Sequence, residues 1–307
     1  MKSFEVTLFF LYFCKLKSIS MDKKRVLYVS QEINPYTGET IMGGIANLLP
    51  QKTQESGNDI RIFLPRFGTI NERRHQLHEV IRLSGMNLII DDFDHQLIIK
   101  VASIQKLRLQ VYFIDNEEYF PSRQMFHDVD GKFMSNNDER MIFYCKGVIE
   151  TVRKLGWAPD IIHCQGWFSS LVPMYIKKLY AQEPLFDNVK VIYSVFDSGF
   201  DGVLSNTLTD KLLFEKLEEE DVSRIKRSTI NNLHKFAIDY ADAIVHASPD
   251  IDKEIVSYTK SSAKPFMSYP GSEEYIDAYQ NFYAQFLDQE DIKVKEEEHK
   301  ELALTEN

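Results

Sequence analysis

Residues 25–64 read RVLYVSQEINPYTGETIMGGIANLLPQKTQESGNDIRIFL, and this stretch decides the fold. Arg25–Ser30 is a short run of β-branched and aromatic residues, the composition of a buried strand. A loop rich in Pro, Gly and Thr follows from Gln31 to Met42. Gly43-Gly44 then opens Ile45–Ser56, whose apolar residues recur at helical spacing. Asp59–Leu64 is a second strand, ended by Pro65. Strand, helix and strand within about forty residues make a βαβ unit, which demands a parallel sheet.

Working outward, Val80–Leu83, Asn87–Ile90, Gln96–Val101 and Leu107–Ile114 are strand-like runs between polar turns, an antiparallel excursion from the main sheet. Glu139–Leu155 is strongly helical and Gly156 stops it. Asp160–Cys164 is another buried strand, backed by a helix over Phe168–Tyr180. Val189–Val195 is the next strand, and Lys211–Asp239 is charged and helical. Ala243–Ala247 is read as the final strand, with a helix over Asp250–Tyr258. The fold expected is a single Rossmann-like, doubly wound α/β domain over residues 22–258, with a mostly parallel sheet. Residues 259–271 read as a linker. Residues 272–287 form an amphipathic helix with Tyr275, Tyr279, Phe282, Tyr283 and Phe286 on one face, expected to pack on the domain.

The chain has 307 residues and a net charge of −10. Residues 288–307 hold eight acids against three lysines, so this tail, expected to be disordered, supplies half of the excess. The body is only mildly acidic and gives no argument for nucleic acid. Three cysteines without a CxxC pair fit a reducing cytosol. Residues 1–21 read as an extension ahead of a natural start at Met21. The order Lys2, apolar Val6 to Cys14, Lys15 is also that of a secretory signal, but without a cleavage site, and it is too short to span a membrane.

Five colinear segments carry a family resemblance. Val26–Pro50 is similar to a strand, a Ser-Glu pair, a Pro-containing loop and Lys-Thr-Gly-Gly-Leu running into a helix. Asp59–Gly68 (DIRIFLPRFG), Val111–Phe120 (VYFIDNEEYF), Leu155–Pro173 (LGWAPDIIHCQGWFSSLVP) and Tyr240–Pro249 (YADAIVHASP) follow in order. Together they resemble the N-terminal, acceptor-side domain of bacterial starch and glycogen synthases. That resemblance implies two Rossmann-like domains across a cleft. It implies glucose transfer from ADP- or UDP-glucose to the 4-OH end of an α-1,4-glucan with retained configuration. The acceptor would lie on this domain, and the nucleotide mainly on a second domain of about two hundred residues. Residues 259–307 contain none of that second domain's phosphate or donor segments, so a separate donor-domain chain is one expectation and a non-catalytic glucan-binding or regulatory relative the alternative.

The resemblance also nominates substrate-binding residues. Gly43 and Gly44 would let backbone approach a phosphate, although Ile41-Met42 replaces the family Lys-Thr. His163 matches the family His after a strand, while Gln165-Gly166 stands where relatives carry an Asp. Ser194–Gly202 (SVFDSGFDG) replaces the family His with Phe196 and offers Asp197 and Asp201 to sugar hydroxyls. Lys235 matches a family Lys, and Tyr119 could join a sugar platform. No catalytic residue is nominated. No cofactor is expected, and no metal cluster, P-loop or GxSxG nucleophile is found.

Overall fold

The computed structural model describes residues 23–104, 109–121 and 124–287. The expected extension 1–21 and acidic tail 288–307 lie outside the described residues. β1 (Arg25–Ser30) sits at the centre of the sheet between β2 (Asp59–Pro65) and β7 (Ile161–Gln165), parallel to both. Beyond β2 lies β6 (Leu109–Asp115). Beyond β7 come β8 (Lys190–Val195), β9 (Ala243–His246) and β10 (Phe266–Met267), all parallel. The excursion at the β6 edge is antiparallel: β5 (Phe93–Ile104) pairs with β6, and β3 (His78–Glu79) and β4 (Met86–Ile90) pair with β5. Doubly wound and mostly parallel, the sheet has the expected class.

Several boundaries differ from the sequence reading. Val80–Leu83 is a turn, because the amides of Leu83 and Ser84 both donate to the Val80 carbonyl at 2.9 and 3.1 Å. The run 168–180 splits into a 3-10 turn, Trp167–Ser169, and a short helix, Val172–Lys177, with Pro173 in its first turn. Lys211–Asp239 breaks into Leu208–Leu213, Glu219–Val222 and Ile230–Tyr240. The first of these ends at Leu213, with Phe214 as its cap and Lys216 turning at φ 67 just beyond, and Thr229 caps the last by accepting from the Asn232 amide. Charge and apolar periodicity continue across such breaks, so periodicity alone does not show them. β10 adds a strand after Ala243–Ala247, inside the stretch read as linker.

The topology explains why a further helix is needed. From β1 the chain winds one way through α1 (Ile41–Glu55) to β2; from β7 it winds the other way through β8, β9 and β10. Right-handed crossovers place α1 on one face and the helices after β7 on the other. The α1 face over β7 and β8 would then stay bare. Helix 275–287 covers it. Gln280 Nε2 donates to the Lys52 carbonyl and to Ser56 Oγ, at 3.3 and 3.0 Å, which sets the helix beside α1. Tyr279, Phe282 and Tyr283 are buried, and Phe286 is half-buried. Each ring so buried contributes roughly 1.5–3 kcal/mol.

Candidate functional site

Strand order reverses between β1 and β7, and the carboxyl ends of the strands at such a point are where open α/β sheets receive ligands. The rim there is built from residues 31–40, 66–75, 116–121, 124–136 and 196–207. Two buried cations tie these loops to the start of helix Asn137–Leu155. Arg140, fully buried, donates from Nε to the Tyr119 carbonyl at 2.7 Å and lies over the rings of Phe67 and Phe120. Burial lowers its pKa to about 10. Lys211 reaches Asp138 at 2.6 Å and Glu139 at 2.7 Å, fixing the chain that follows loop 196–207.

At the start of α1, Thr40 is the N-cap. Its hydroxyl accepts from the Gly43 amide at 2.9 Å and donates to the Glu32 carboxylate at 2.6 Å. The Gly44 amide donates to the Thr40 carbonyl at 3.0 Å. Both glycine amides are thus engaged in the cap, and a carboxylate lies within the reach of its hydroxyl. A Cβ on Gly43 would come within 3.1 Å of Thr40 Oγ1, whereas one on Gly44 would meet nothing within 4 Å, so the open approach is at Gly44.

β7 carries the next two groups. His163 lies mid-strand rather than at the strand's end, fully buried, with Nε2 2.6 Å from Ser194 Oγ and Nδ1 2.6 Å from Tyr283 OH. Burial pushes its pKa down to about 3, so the ring is neutral at ordinary pH. Two residues on, Gln165 is equally buried, yet neither its Nε2 nor its Oε1 has a hydrogen-bond partner. Gly166 then turns at φ 83 and ψ 168, a conformation open essentially to glycine alone. A Cβ there would stand 2.6 Å from Gln31 Oε1, which accepts from the Phe168 amide at 3.0 Å. Close packing against Gln31 accounts for a glycine at this point.

Loop 196–207 carries Phe196 and two of the nominated residues, Asp197 and Asp201. Phe196 is buried, so its ring is not offered outward, while Asp197 and Asp201 are exposed. Between them Phe200, half-buried, stacks on Phe133 at 4.9 Å and 22°, with Trp167 edge-on beneath at 4.9 Å. The other nominated residues lie elsewhere. The Tyr119 ring is buried against Phe143, and its hydroxyl is held by His95 and Glu139 at 2.9 and 3.3 Å. Lys235 pairs with Glu254 and lies over the Tyr258 ring. Gly44 thus follows β1, and Asp197 and Asp201 follow β8, each past a strand's carboxyl end, whereas His163, Tyr119 and Lys235 are set into packing networks. Sequence reasoning missed the orphaned Gln165 amide and the Phe133–Phe200 stack. A glutamine directly before a glycine at a strand end was visible; the Phe133 partner, sixty-odd residues from Phe200, was not. Among the described residues no group of three or more His, Cys, Asp or Glu side chains could hold a metal ion, and no helix is long and apolar enough to cross a membrane.

Comparison with known proteins agrees with this architecture. The family described as starch synthase catalytic domain matches residues 25–266. The glycogen synthase of Chlorobium limicola is 36% identical over 234 residues, covering 76% of this chain and 47% of that protein. The glycogen synthase of Chlorobaculum parvum is 35% identical over 245 residues, covering 78% and 48%. The chain thus spans about half the length of these relatives. Among solved structures, the catalytic domain of starch synthase IV from Arabidopsis thaliana, bound to ADP and acarbose, superposes with a TM-score of 0.66. It is 20% identical, over 81% of this chain and 51% of that one, a likeness of fold.

Proposed function

We propose that this chain, which belongs to the starch synthase catalytic domain family, holds the end of an α-1,4-glucan on the carboxyl rim of its sheet as the acceptor side of glucosyl transfer from ADP- or UDP-glucose. The observation that carries this reading is the loop Phe196–Gly202. There Phe200, stacked on Phe133, stands in the same short loop as two exposed carboxylates, Asp197 and Asp201. The C–H faces of a glucose ring pack on aromatic rings, and carboxylates accept from its hydroxyls. Gly44, whose missing side chain leaves space at the start of α1, follows the carboxyl end of β1. Buried free Cys145 and Cys164 fit a reducing, cytoplasmic setting.

In this reading the chain contributes positioning and not a complete transfer site. Ile41 offers no cation at the start of α1, and Phe196 is sealed in the core. Retaining transfer needs donor and acceptor held at reacting distance, so the donor side would come from a second domain or chain. His163, Tyr119 and Lys235 enter the proposal as the supports of the rim, through their buried or paired contacts. The test is a labelled-glucose assay on the 307-residue chain alone, with glycogen and each donor, run beside a glycogen affinity gel. We expect retardation by glycogen without incorporation of label. Robust incorporation, or no retardation, would contradict the reading.

A further inference from the structure

A concavity lies on the rim whose lining includes no residue of loop 196–207. It is a cleft of about 290 Å3 between loop 35–38 and residues 69–75, lined by Tyr36, Gly38, Thr69, Asn71, Arg74 and His75 among others. Two nearby cations, Arg66 and Lys100, are neutralised within the protein, whereas exposed Arg73 enters no ion pair among the described residues but lies outside the cleft lining. Arg66 and Lys100 share Glu72 and Asp115 in a four-membered network, with Arg66 Nε 2.9 Å and Lys100 Nζ 3.0 Å from Asp115. Arg74 enters no ion pair among the described residues, and its side chain is exposed along the cleft wall.

The remaining lining suits a small oxyanion with a ring attached. Thr69 is exposed, and a Cβ on Gly38 would meet nothing within 4 Å, so backbone and hydroxyl donors are accessible. The His75 ring packs edge-on against buried Tyr36 at 4.9 Å, giving the cleft a flat aromatic side. Burial and the adjacent Arg74 hold His75 below its ordinary pKa, so at neutral pH it presents a neutral imidazole and Arg74 is the cleft's charge. A guanidinium offers a planar donor fork matched to phosphate oxygens.

We propose that the cleft between loop 35–38 and Arg74–His75 binds the phosphoryl group of a small metabolite, with Arg74 as its charged ligand. This inference does not rest on the glucan reading, since it concerns different residues and a charged ligand. Titration calorimetry on the full chain tests it with inorganic phosphate, glucose 1-phosphate, glucose 6-phosphate and ADP-glucose as separate probes and glucose as the uncharged control. At least one phosphoryl compound should bind and glucose should not displace it. Arg74→Gln should weaken that binding by about ten- to a hundredfold. Arg82→Gln, an exposed arginine outside the cleft lining, should leave it unchanged. Preference for a glucose phosphate over inorganic phosphate would identify a sugar phosphate as the ligand; preference for ADP-glucose would identify the nucleotide sugar. Absence of binding by all four probes at millimolar concentration, or equal binding by Arg74→Gln with its melting temperature unchanged, would overturn the proposal.

Discussion

The floor and the rim of β7 differ sharply although they are two residues apart. On the floor, His163 has both ring nitrogens occupied, by Ser194 and by Tyr283 from helix 275–287. At the rim, Gln165 has the same burial and both amide atoms unoccupied. A buried amide without partners costs about 1–3 kcal/mol for each unsatisfied group. The difference shows how this sheet is divided. Where helix 275–287 seals the α1 face, polar groups are satisfied internally and the chemistry is structural. At the end of the strand, the buried Gln165 amide has no protein partner.

The largest break in that comparison is removal of the floor's cover. A chain ending at Gly271 would expose Tyr28, His163 and Ser194, and forfeit the burial of Tyr279, Phe282 and Tyr283. At roughly 1.5–3 kcal/mol per ring, the loss is on the order of 5 kcal/mol or more, comparable to the whole stability of a typical domain. We expect loss of cooperative melting by circular dichroism. A truncated chain that melts at the parent temperature would show that the helix is not part of the core.

Gly166→Ala probes the join between floor and rim. It imposes a side chain at φ 83 and drives Cβ toward Gln31 Oε1. Backbone strain and the disturbed Gln31–Phe168 bond should together cost about 3 kcal/mol, read as a shift in the urea midpoint. An unchanged midpoint would mean the turn relaxes freely and Gln31 is not fixed by it.

The smaller effect is titration of the floor. Unfolded, His163 takes up a proton near its ordinary 6.5; folded, it resists down to about 3. Stability from this residue is therefore complete above about pH 6.5 and is lost as pH falls toward 3. Between pH 6.5 and 5 the loss is about 2 kcal/mol. His163→Gln removes that titration and leaves the other histidines in place. Its stability should decline less than the parent's between pH 7 and 5, by about that amount. Identical declines would mean His163 titrates normally in the folded chain.

Much of this division could be read from residues alone. The βαβ unit at 25–64, the strands near 160 and 190 and the aromatic stripe of 275–287 follow from composition and period, which the sheet and its covering helix then enforce. The helix breaks at Lys216 and near Pro173 were hidden because amphipathic pattern persists through a short turn. Among site residues, His163 shows the limit most clearly. Its place after an apolar strand run suggests an exposed ligand, but its environment is set by Tyr283, 120 residues away. Gln165 shows the converse. Nothing in a glutamine's local sequence distinguishes a satisfied amide from an orphaned one; only three-dimensional packing does.

Hydrogen–deuterium exchange of the full chain with and without a maltooligosaccharide compares floor and rim in one measurement. The account predicts new protection in residues 196–207 and 124–136, where Phe200 and Phe133 meet, and none in 275–287, whose amides are already held in the core. Protection confined to 275–287, or no protection at saturating oligosaccharide, would contradict the placement of the glucan on the carboxyl rim.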